Sequence, residues 1–374
     1  MKLPKDVVVP NDTRLAIYLP AGELETRFYV SSLGLWVEPG RALRNARDSE
    51  SQRFFSQTAA VDFTQDDGYG LLVDLDPKWS VQGGTLRLEM AYKVFAADAK
   101  EVLTGTETQS VGINAGGPGG GFHAASGKAM QQILVHLLTE LKPSAEKFPA
   151  NAKMSAINRD LIVNRDDPVS TGTAFFINSG GQLLTAAHVL DNCLVIEGKK
   201  DDKKFPVLLR AESRLLDLAV VDSGQATDKA LPFRQGEEVM LGEAVTNVGY
   251  PLQGLLAASP NLTRGNVSAS GGLKGSMGIF QFSAPIQPGA SGGPVVSDAG
   301  ELLGVTVGTL NAARLIKDGV LPQNVNFALD ARYAAMFLRK SNIEFTEVAP
   351  AEAGGMRTAN DAALGAVVQL SCYQ

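Results

Sequence analysis

The pattern of apolar runs and turn residues changes near residue 150, and this change limits the folds that the sequence can adopt. Beyond that point, short apolar runs alternate with Gly, Pro, Asn and Ser, and few helical stretches occur before Asp330. Short strands separated by turn residues are typical of all-β barrels. Since 374 residues exceed the usual size of one hydrophobic core, the length favours two domains or one domain with large additions. We therefore expect a mostly β C-terminal domain preceded by a smaller one.

Residues 1–141 have the pattern of an α+β domain. Apolar residues from Leu86 to Val94 alternate with mostly polar ones, which predicts a half-buried strand, and residues 96–100 turn the chain into a second strand. Apolar residues from Met130 to Leu141 recur at helical spacing, which predicts a helix of about 16 residues. We expect a linker at 142–154, the β domain at 155–345 with a closing helix at Asp330–Lys340, and a C-terminal tail at 346–374.

Composition and charge limit the classes of molecule that this protein is expected to bind. Lys and Arg number 34 against 40 Asp and Glu, a formal net charge of −6, and no segment concentrates basic residues as a phosphate-binding surface does. No apolar run approaches the roughly 18 residues that a membrane span needs. We expect a soluble protein without nucleic-acid partners, while the N-terminal domain is a candidate site for a protein partner.

Two cysteines, Cys193 and Cys372, are too few for a disulfide framework or for a zinc site built from cysteine alone. In an exported protein they would pair, and in the cytosol they would remain thiols. The first residues, MKLPKDVVVPNDT, lack the apolar core of a signal peptide, so either the protein is not exported or its leader has been removed. We favour a periplasmic or secreted location and keep a cytoplasmic one open.

The chain contains three histidines, which narrows the search for a catalytic base. His123 lies beside a glycine-rich run, and His136 lies between apolar positions of the predicted helix, where surface or structural roles are usual. His188 instead ends the run LLTAAH, in which an apolar strand gives way to small residues. Small neighbours leave room for an imidazole at a seam between domains, so His188 is the candidate base.

A glycine-rich segment at residues 287–294, QPGASGGP, surrounds Ser291. Gly289 permits the positive φ angle of a turn that directs successive N–H groups into one concavity. Such a concavity is an oxyanion hole, with the N–H groups of Gly289 and Ser291 as donors. Ordinary Gly-Ser loops have the same pattern, so this string alone does not establish a site.

Asp217 lies inside the apolar run LLDLAVV, where a carboxylate needs a polar partner. An imidazole N–H is a suitable partner. Asp222 is the rival carboxylate, but it lies at the end of the run, next to Ser223 and Gly224. A serine nucleophile requires a base and a carboxylate that fixes the tautomer of that base, and this chain offers a candidate for each.

Several strings occur in one order along the chain: TGTAFFINSGGQLLTAAHVL, LDLAVV, GEAVTNVGYP, QPGASGGPVV, and GELLGVTVG with VNFALD. Together they resemble the trypsin-like serine proteases, most closely the bacterial HtrA-type branch, over roughly residues 155–340. The resemblance implies a chymotrypsin-like fold of two six-stranded antiparallel β-barrels with the triad at their seam. It also implies a serine endopeptidase that acts on proteins or peptides without a metal or organic cofactor. The N-terminal domain is faintly similar to small α+β domains of bacterial envelope lipoproteins.

By the same resemblance, Ser291 attacks the scissile carbonyl, His188 transfers the proton to the leaving amine, and Asp217 orients His188. Gly289 and Ser291 donate the oxyanion N–H groups. Ala290 departs from the family, which usually has a polar or acidic residue there. The missing side chain predicts an oxyanion turn that forms only when something binds. A second departure is the lack of room for the C-terminal PDZ domain that HtrA-type enzymes usually carry.

The resemblance also places the walls of the first specificity pocket at Pro285 and Ile286 and at residues 305–308. Because none of these residues is charged, we expect cleavage after small or medium apolar residues. The wall at residues 305–308 consists of Val305, Thr306, Val307 and Gly308. Two other functions remain open, a catalytically silent binding or scaffold protein with this fold and an esterase that uses the same triad.

Overall fold

The computed structural model describes residues 8–25, 27–30, 34–117, 119–166, 168–251, 259–271, 278–309, 324–351 and 354–374. The chain forms two compact units, Met1–Val163 together with Gln374, and Asn164–Tyr373. None of the described helices is both long and apolar enough to cross a membrane.

The first unit is an α+β domain, as the sequence predicts. Its strands are β1 (Asn11–Tyr18), β2 (Phe28–Val30), β3 (Leu35–Val37), β4 (Phe55–Ala60), β5 (Gly68–Tyr69), β6 (Leu71–Gln82), β7 (Thr85–Ala96), β8 (Glu101–Gly112) and β9 (Ala152–Lys153), and its helices are α1 (Ala21–Glu25), α2 (Gly40–Phe54) and α3 (Gly120–Leu141). The main sheet has the order β4-β1-β6-β7-β8, and α3 packs on β7 and β8. Strands β7 and β8 confirm the predicted hairpin, while α3 is longer than expected because it begins at the glycine run.

The segment 142–154, expected as a linker, is folded into the first unit. Strand β9 pairs with β5, and the side-chain amide of Asn11 donates a hydrogen bond of 2.7 Å to the carbonyl of Pro143. Met154 is buried, and its N–H donates to the carbonyl of Asp67 at 3.0 Å. Prolines end the preceding helix but keep their carbonyl groups as acceptors, so a proline-rich segment can still pack. The boundary between the units therefore lies later, at Val163.

The second unit is dominated by strands. They are β10 (Ser170–Phe176), β11 (Gln182–Thr185), β12 (Val195–Lys200), β13 (Lys203–Ser213), β14 (Leu218–Asp222), β15 (Phe233–Arg234), β16 (Ala244–Gly249), β17 (Asn261–Ala269), β18 (Ile279–Phe282), β19 (Pro294–Val296), β20 (Leu302–Thr309), β21 (Asn326–Asp330), β22 (Glu347–Val348) and β23 (Val367–Tyr373), with helices α4 (Ala331–Lys340) and α5 (Met356–Ala366). Helix α4 confirms the predicted closing helix, and the Asp330 side chain caps it by accepting from the N–H of Arg332 at 2.8 Å.

These strands form two six-stranded antiparallel barrels, as the resemblance implies. The first barrel closes in the order β10-β11-β14-β13-β12-β23. The second runs β19-β16-β17-β18-β21-β20 and closes because β19 also pairs with β20, while β15 and β22 extend it in parallel beyond β20. Apolar side chains such as Phe176 in the first barrel and Phe280 in the second fill the interiors, since alternate residues of each strand face inward.

The segment 346–374, expected as a tail, belongs to the second unit up to Tyr373. Strand β23 lies between β10 and β12 and completes the first barrel, and the core includes Ala359, Ala363 and Val367. A six-stranded barrel without β23 would have two unpaired strand edges, which is unfavourable for buried backbone groups. The last strand of the chain therefore closes the barrel that the first strand of the unit begins.

Cys193 and Cys372 form a disulfide bond, with their Cα atoms 5.3 Å apart. The bond joins the segment that follows His188 to strand β23. It resolves the alternatives that the sequence leaves open, because the two cysteines are bonded to each other.

Removing this disulfide is expected to destabilise the fold. The bond spans 179 residues, and for such a loop the chain-entropy model gives about 5 kcal/mol, although native disulfides typically contribute about 2–5 kcal/mol. A variant with Cys193→Ser and Cys372→Ser should therefore unfold at lower denaturant concentration than the oxidised wild type. Equal midpoints in urea for the double variant and the oxidised wild type would contradict the expectation. The reduced wild type is the control that separates loss of the bond from the effect of the serines.

Candidate active site

His188 lies just beyond the end of strand β11, in a short 3-10 turn formed by Ala187–Leu190. The preceding Ala186 and Ala187 are buried, while the imidazole side chain remains 43% exposed. Small buried residues thus anchor the turn and leave the ring accessible from outside. This is the position that the sequence predicts for a base at a seam between barrels.

Asp217 contacts His188 through both carboxylate oxygens. Its Oδ2 lies 2.7 Å from the ring Nδ1 of His188, and its Oδ1 accepts a hydrogen bond of 2.9 Å from the backbone N–H of His188. The carbonyl of Asp217 also accepts from the N–H of Ala187 at 3.0 Å. Its φ angle of +52° lies in the left-handed region, which Asp tolerates better than most residues. These contacts fix the ring and favour the tautomer whose proton is on Nδ1.

The carboxylate also changes the proton affinity of the base. The hydrogen bond to Asp217 raises the pKa of His188 above its ordinary value of 6.5, partial burial opposes this, and the charges of Asp217 and Asp191 add to it. The protonated imidazole is therefore stabilised beside Asp217. A base of this kind accepts a proton readily and loses its capacity as the pH falls through the raised pKa.

Ser291 follows a closed turn at residues 287–290. The carbonyl of Gln287 accepts a hydrogen bond of 3.0 Å from the N–H of Ala290, and Gly289 has a φ angle of +97°. A positive φ at the third position, after Pro288 at the second, is the signature of a type II turn. Within the part of the chain that the structure describes, the N–H groups of Gly289 and Ser291 have no hydrogen-bond partner. The two predicted oxyanion donors are thus free to bind an acceptor.

Ala290 stabilises this turn, contrary to the expectation that its short side chain leaves the turn unformed. Its methyl group is 3% exposed and packs in the core of the second barrel with Val245 and Ile286. Gly249 faces it so closely that a Cβ atom there would lie 3.2 Å from the Cβ of Ala290. Apolar packing therefore takes the place of the polar side chain that the family usually has at this position.

The nucleophile loop lies against the end of the strand that leads to His188. A Cβ atom on Gly292 would lie 2.7 Å from the backbone nitrogen of Ala186, so only glycine fits at this contact. Among the described residues, the Ser291 hydroxyl makes no hydrogen bond, and His188 Nε2 is not bonded to it. Catalytic hydrogen bonds are often long without substrate and shorten in the Michaelis complex. The structure thus joins His188 to Asp217 and places Ser291 on the adjoining turn.

The predicted pocket residues differ in what they expose. Pro285 is exposed and Val307 is partly exposed, whereas Val305 and Thr306 are fully buried. Val305 packs in the hydrophobic core, and the Thr306 hydroxyl accepts from the side chain of Asn247 at 2.7 Å. Ile286 is also buried, and Gly308 lies in strand β20. Val305 and Thr306 are therefore too deeply buried to be in contact with solvent, while Pro285 and Val307 are accessible.

The alternative candidates lie elsewhere or have other partners. Asp222, the rival carboxylate, accepts from Arg210 at 2.7 Å and from the N–H of Gly224 at 2.9 Å. His123 is exposed on α3, and His136 on the same helix contacts the hydroxyl of Tyr92. The described residues contain no group of three or more His, Cys, Asp or Glu side chains arranged to bind a metal ion. A cavity of about 610 Å³ beside Asn178 is lined by none of the three candidate residues His188, Asp217 and Ser291.

One residue that contacts the site is absent from the sequence-based set. Thr173 on strand β10 donates its hydroxyl proton to the carbonyl of Gly289 at 2.8 Å, and its N–H donates to the carbonyl of Ser291 at 2.9 Å. The only local signal is a threonine at the start of the apolar run TAFFI. A polar residue there is ordinary in a strand, so its contact with a turn more than 100 residues later has no local signature.

Comparison with known proteins agrees with this geometry. Residues 172–305 match the family model of the trypsin-like peptidase domain. An uncharacterized protein y4bJ of Sinorhizobium fredii is 40% identical over 199 residues, which cover 53% of this chain and 31% of that protein. The chloroplastic Protease Do-like 2 of Arabidopsis thaliana is 38% identical over 36% of this chain and 23% of its own length.

Serine endoprotease DegS of Escherichia coli is 26% identical over 52% of this chain and 56% of its own length. The matches therefore span about half or less of each relative. A solved serine endoprotease from Yersinia pestis covers 46% of this chain and 58% of its own, at 24% identity and a TM-score of 0.39. Residues 172–305 of the second unit thus match the trypsin-like peptidase domain, and this unit is similar over part of its length to Protease Do-like 2 and to the serine endoprotease DegS.

Proposed function

We propose that this chain is a serine endopeptidase with Ser291 as its nucleophile, His188 as its general base and acid, and Asp217 as the residue that orients the base. The observation that carries the proposal is the two-point contact of Asp217 with His188 beside a closed turn that bears Ser291. The names of two relatives, a serine endoprotease and a protease, support the same reaction class.

The reaction follows from the proton positions that this geometry favours. With the His188 proton on Nδ1 and bonded to Asp217, Nε2 is the free acceptor for the Ser291 hydroxyl proton. The Ser291 oxygen then attacks the peptide carbonyl, and His188 returns the proton to the leaving amine, which departs and leaves an acyl-enzyme. Water deacylates the enzyme by the reverse proton transfers.

Charge that develops on the substrate oxygen needs donors that are already in place. The N–H groups of Gly289 and Ser291 have no partner among the described residues, and the turn before Ser291 is already closed by the bond from the N–H of Ala290 to the carbonyl of Gln287. Donors fixed in advance stabilise the tetrahedral intermediate without further reorganisation, and each contributes about 10²- to 10³-fold in turnover. The closed turn thus supports a site that is competent before substrate binds.

The proposed substrate preference is for small or medium apolar residues before the cleaved bond. Pro285, Ile286 and Val307 border the predicted pocket without any acidic group. A lysine or arginine side chain would lose its hydration there without gaining a charge partner. A peptide amide with valine at this position is therefore the substrate of choice for assays.

The disulfide bears on the proposed location. Disulfides form and persist in oxidising compartments and are rare in the cytosol. Because Cys193 and Cys372 are bonded to each other, a periplasmic or secreted protease agrees better with this chain than a cytosolic one.

A fluorophosphonate probe tests the proposal, because it reacts only with a serine that has an active base and oxyanion hole. We expect stoichiometric labelling of the wild type, mapped by mass spectrometry to the peptide that contains Ser291, and none of Ser291→Ala. Labelling that persists in Ser291→Ala would contradict the assignment of Ser291 as the nucleophile. A folded but unlabelled wild type would favour the silent scaffold, and hydrolysis of esters without casein would favour an esterase.

A further inference from the structure

Thr173 makes four hydrogen bonds where the two barrels meet. Its hydroxyl donates to the carbonyl of Gly289 at 2.8 Å and accepts from the N–H of Tyr250 at 2.9 Å. Its backbone N–H donates to the carbonyl of Ser291 at 2.9 Å, and its carbonyl accepts from the Thr185 hydroxyl at 2.7 Å. The side chain is fully buried, so water does not compete for these bonds.

The direction of the hydroxyl proton follows from its two partners. The N–H of Tyr250 is a donor only, so the Thr173 oxygen must accept from it. The single hydroxyl proton is then directed to the carbonyl of Gly289, which is an acceptor only. Among the described residues, the Tyr250 N–H and the Gly289 carbonyl have no other hydrogen-bond partner, and leaving buried polar groups unsatisfied destabilises the fold.

The two carbonyl groups that bond to Thr173 belong to the residues whose N–H groups are the proposed oxyanion donors. The carbonyl of Gly289 bonds to the Thr173 hydroxyl, and the carbonyl of Ser291 bonds to the Thr173 N–H. These two carbonyls lie in the peptide planes Gly289–Ala290 and Ser291–Gly292, and each of these planes is next to one that carries a donor N–H group. Thr173 therefore holds the planes that flank the donors, and this limits the directions in which the N–H groups of Gly289 and Ser291 can point.

We infer that Thr173 is a positioning residue, whose hydroxyl keeps the oxyanion turn closed and so aligns the N–H groups of Gly289 and Ser291 with the substrate oxygen. The inference rests on the endopeptidase function proposed above and adds a residue of the first barrel to a site whose donors lie on the second.

The test compares Thr173→Val, which keeps the shape and removes the hydroxyl, with Thr173→Ser, which keeps the hydroxyl. On a fluorogenic peptide amide with valine before the cleaved bond, we expect Thr173→Val to lower kcat by about tenfold to a hundredfold, near the effect of losing one oxyanion donor, with KM changed less than about threefold. Thr173→Ser should stay within about threefold of the wild type. A peptidyl aldehyde, whose hemiacetal oxygen occupies the oxyanion hole, should bind Thr173→Val more weakly by a similar factor.

Ser223→Ala is the matched control, because the buried Ser223 hydroxyl also donates to a backbone carbonyl, that of Gly181 at 2.6 Å, and accepts from a backbone N–H, that of Gln225 at 3.1 Å. We expect it to lower the unfolding midpoint as Thr173→Val does while its kcat stays near that of the wild type, with all assays below both midpoints. If Thr173→Val has wild-type kcat and aldehyde affinity, or if Ser223→Ala loses as much kcat, the positioning role is overturned and the protease assignment stands. If the wild type shows no turnover that depends on Ser291, both are overturned.

Discussion

Replacing His188 with alanine is expected to lower the turnover of a peptide amide by about 10⁶-fold, close to the loss that removal of the base causes in other serine proteases. The chain has three histidines, and the other two, His123 and His136, both lie on helix α3 of the first unit, so His188 is the one histidine of the second unit. Without an imidazole, the Ser291 hydroxyl keeps its proton and remains a poor nucleophile. Steady-state hydrolysis of the valine peptide amide, after active-site titration, measures the effect.

His123→Ala is the control for this variant. His123 is exposed on α3, far along the chain from the triad, and its removal should leave turnover unchanged. Residual turnover of more than about 1% in His188→Ala, in preparations from which Ser291→Ala shows none, would mean that another group activates the serine. That result would remove His188 from the mechanism while leaving Ser291 in it, and the residual rate expected from the oxyanion hole alone is far smaller.

Strand β7 and most of helix α3 are predicted from the sequence because the pattern of apolar residues within each segment determines them. The period-two alternation from Leu86 to Val94 predicts the strand β7, because one face of that strand packs on the core and the other does not. The helical spacing from Met130 to Leu141 predicts the end of α3, although α3 begins ten residues earlier than Met130, at Gly120. Glycines at its start weaken the local signal without preventing the helix, since packing of its apolar residues outweighs their low propensity.

Non-local pairing explains what the sequence does not predict. Strand β23 reads as one more short apolar run after a helix, and only its partners, strands β10 and β12, make it part of a barrel. The prediction of a linker at 142–154 is wrong for the same reason, because strand β9 forms only by pairing with β5. Neither partner lies near in sequence, and no periodicity within the segment records the pairing.

The site shows the same division between local and non-local causes. Ser291, His188 and Asp217 lie in recognisable strings, and the contact of Asp217 with His188 agrees with that reading. The prediction of an unformed turn at Ala290 is wrong because the packing of this residue depends on Gly249, which is remote in sequence and leaves space for the methyl group. The sequence does not predict Thr173, because its inferred role depends on a contact with Gly289 across the seam between the two barrels. The proposed triad residues are recognisable because the chemistry lies in their own side chains, whereas residues such as Ala290 and Thr173 act only through their neighbours.

Replacing Asp217 with asparagine is expected to lower kcat by about 10⁴-fold, the size of effect that loss of the orienting carboxylate produces in such triads. Asp217 accepts two hydrogen bonds from His188, one at each oxygen. Asparagine has a single acceptor oxygen, so its amide group must face either the backbone N–H or the ring Nδ1. The first choice leaves two donors opposed, and the second places the ring proton on Nε2, where it blocks acceptance from Ser291.

The same substitution should move the pH profile. In the wild type, the bond to Asp217 raises the pKa of His188 above 6.5, and only the neutral imidazole acts as a base, so kcat/KM should fall as the pH drops through that raised pKa. Loss of the carboxylate removes the largest cause of the shift. The acidic limb of the residual activity in Asp217→Asn should therefore lie at lower pH than that of the wild type.

Asp222→Asn is the matched control, since it changes the rival carboxylate of the same strand region, which bonds to Arg210 and to the N–H of Gly224 instead of to His188. It should keep wild-type kcat and the wild-type acidic limb. If Asp222→Asn loses activity and Asp217→Asn does not, the orienting role belongs to Asp222. If Asp217→Asn loses activity but its acidic limb stays in place, the carboxylate acts on the position of the ring without setting its proton affinity.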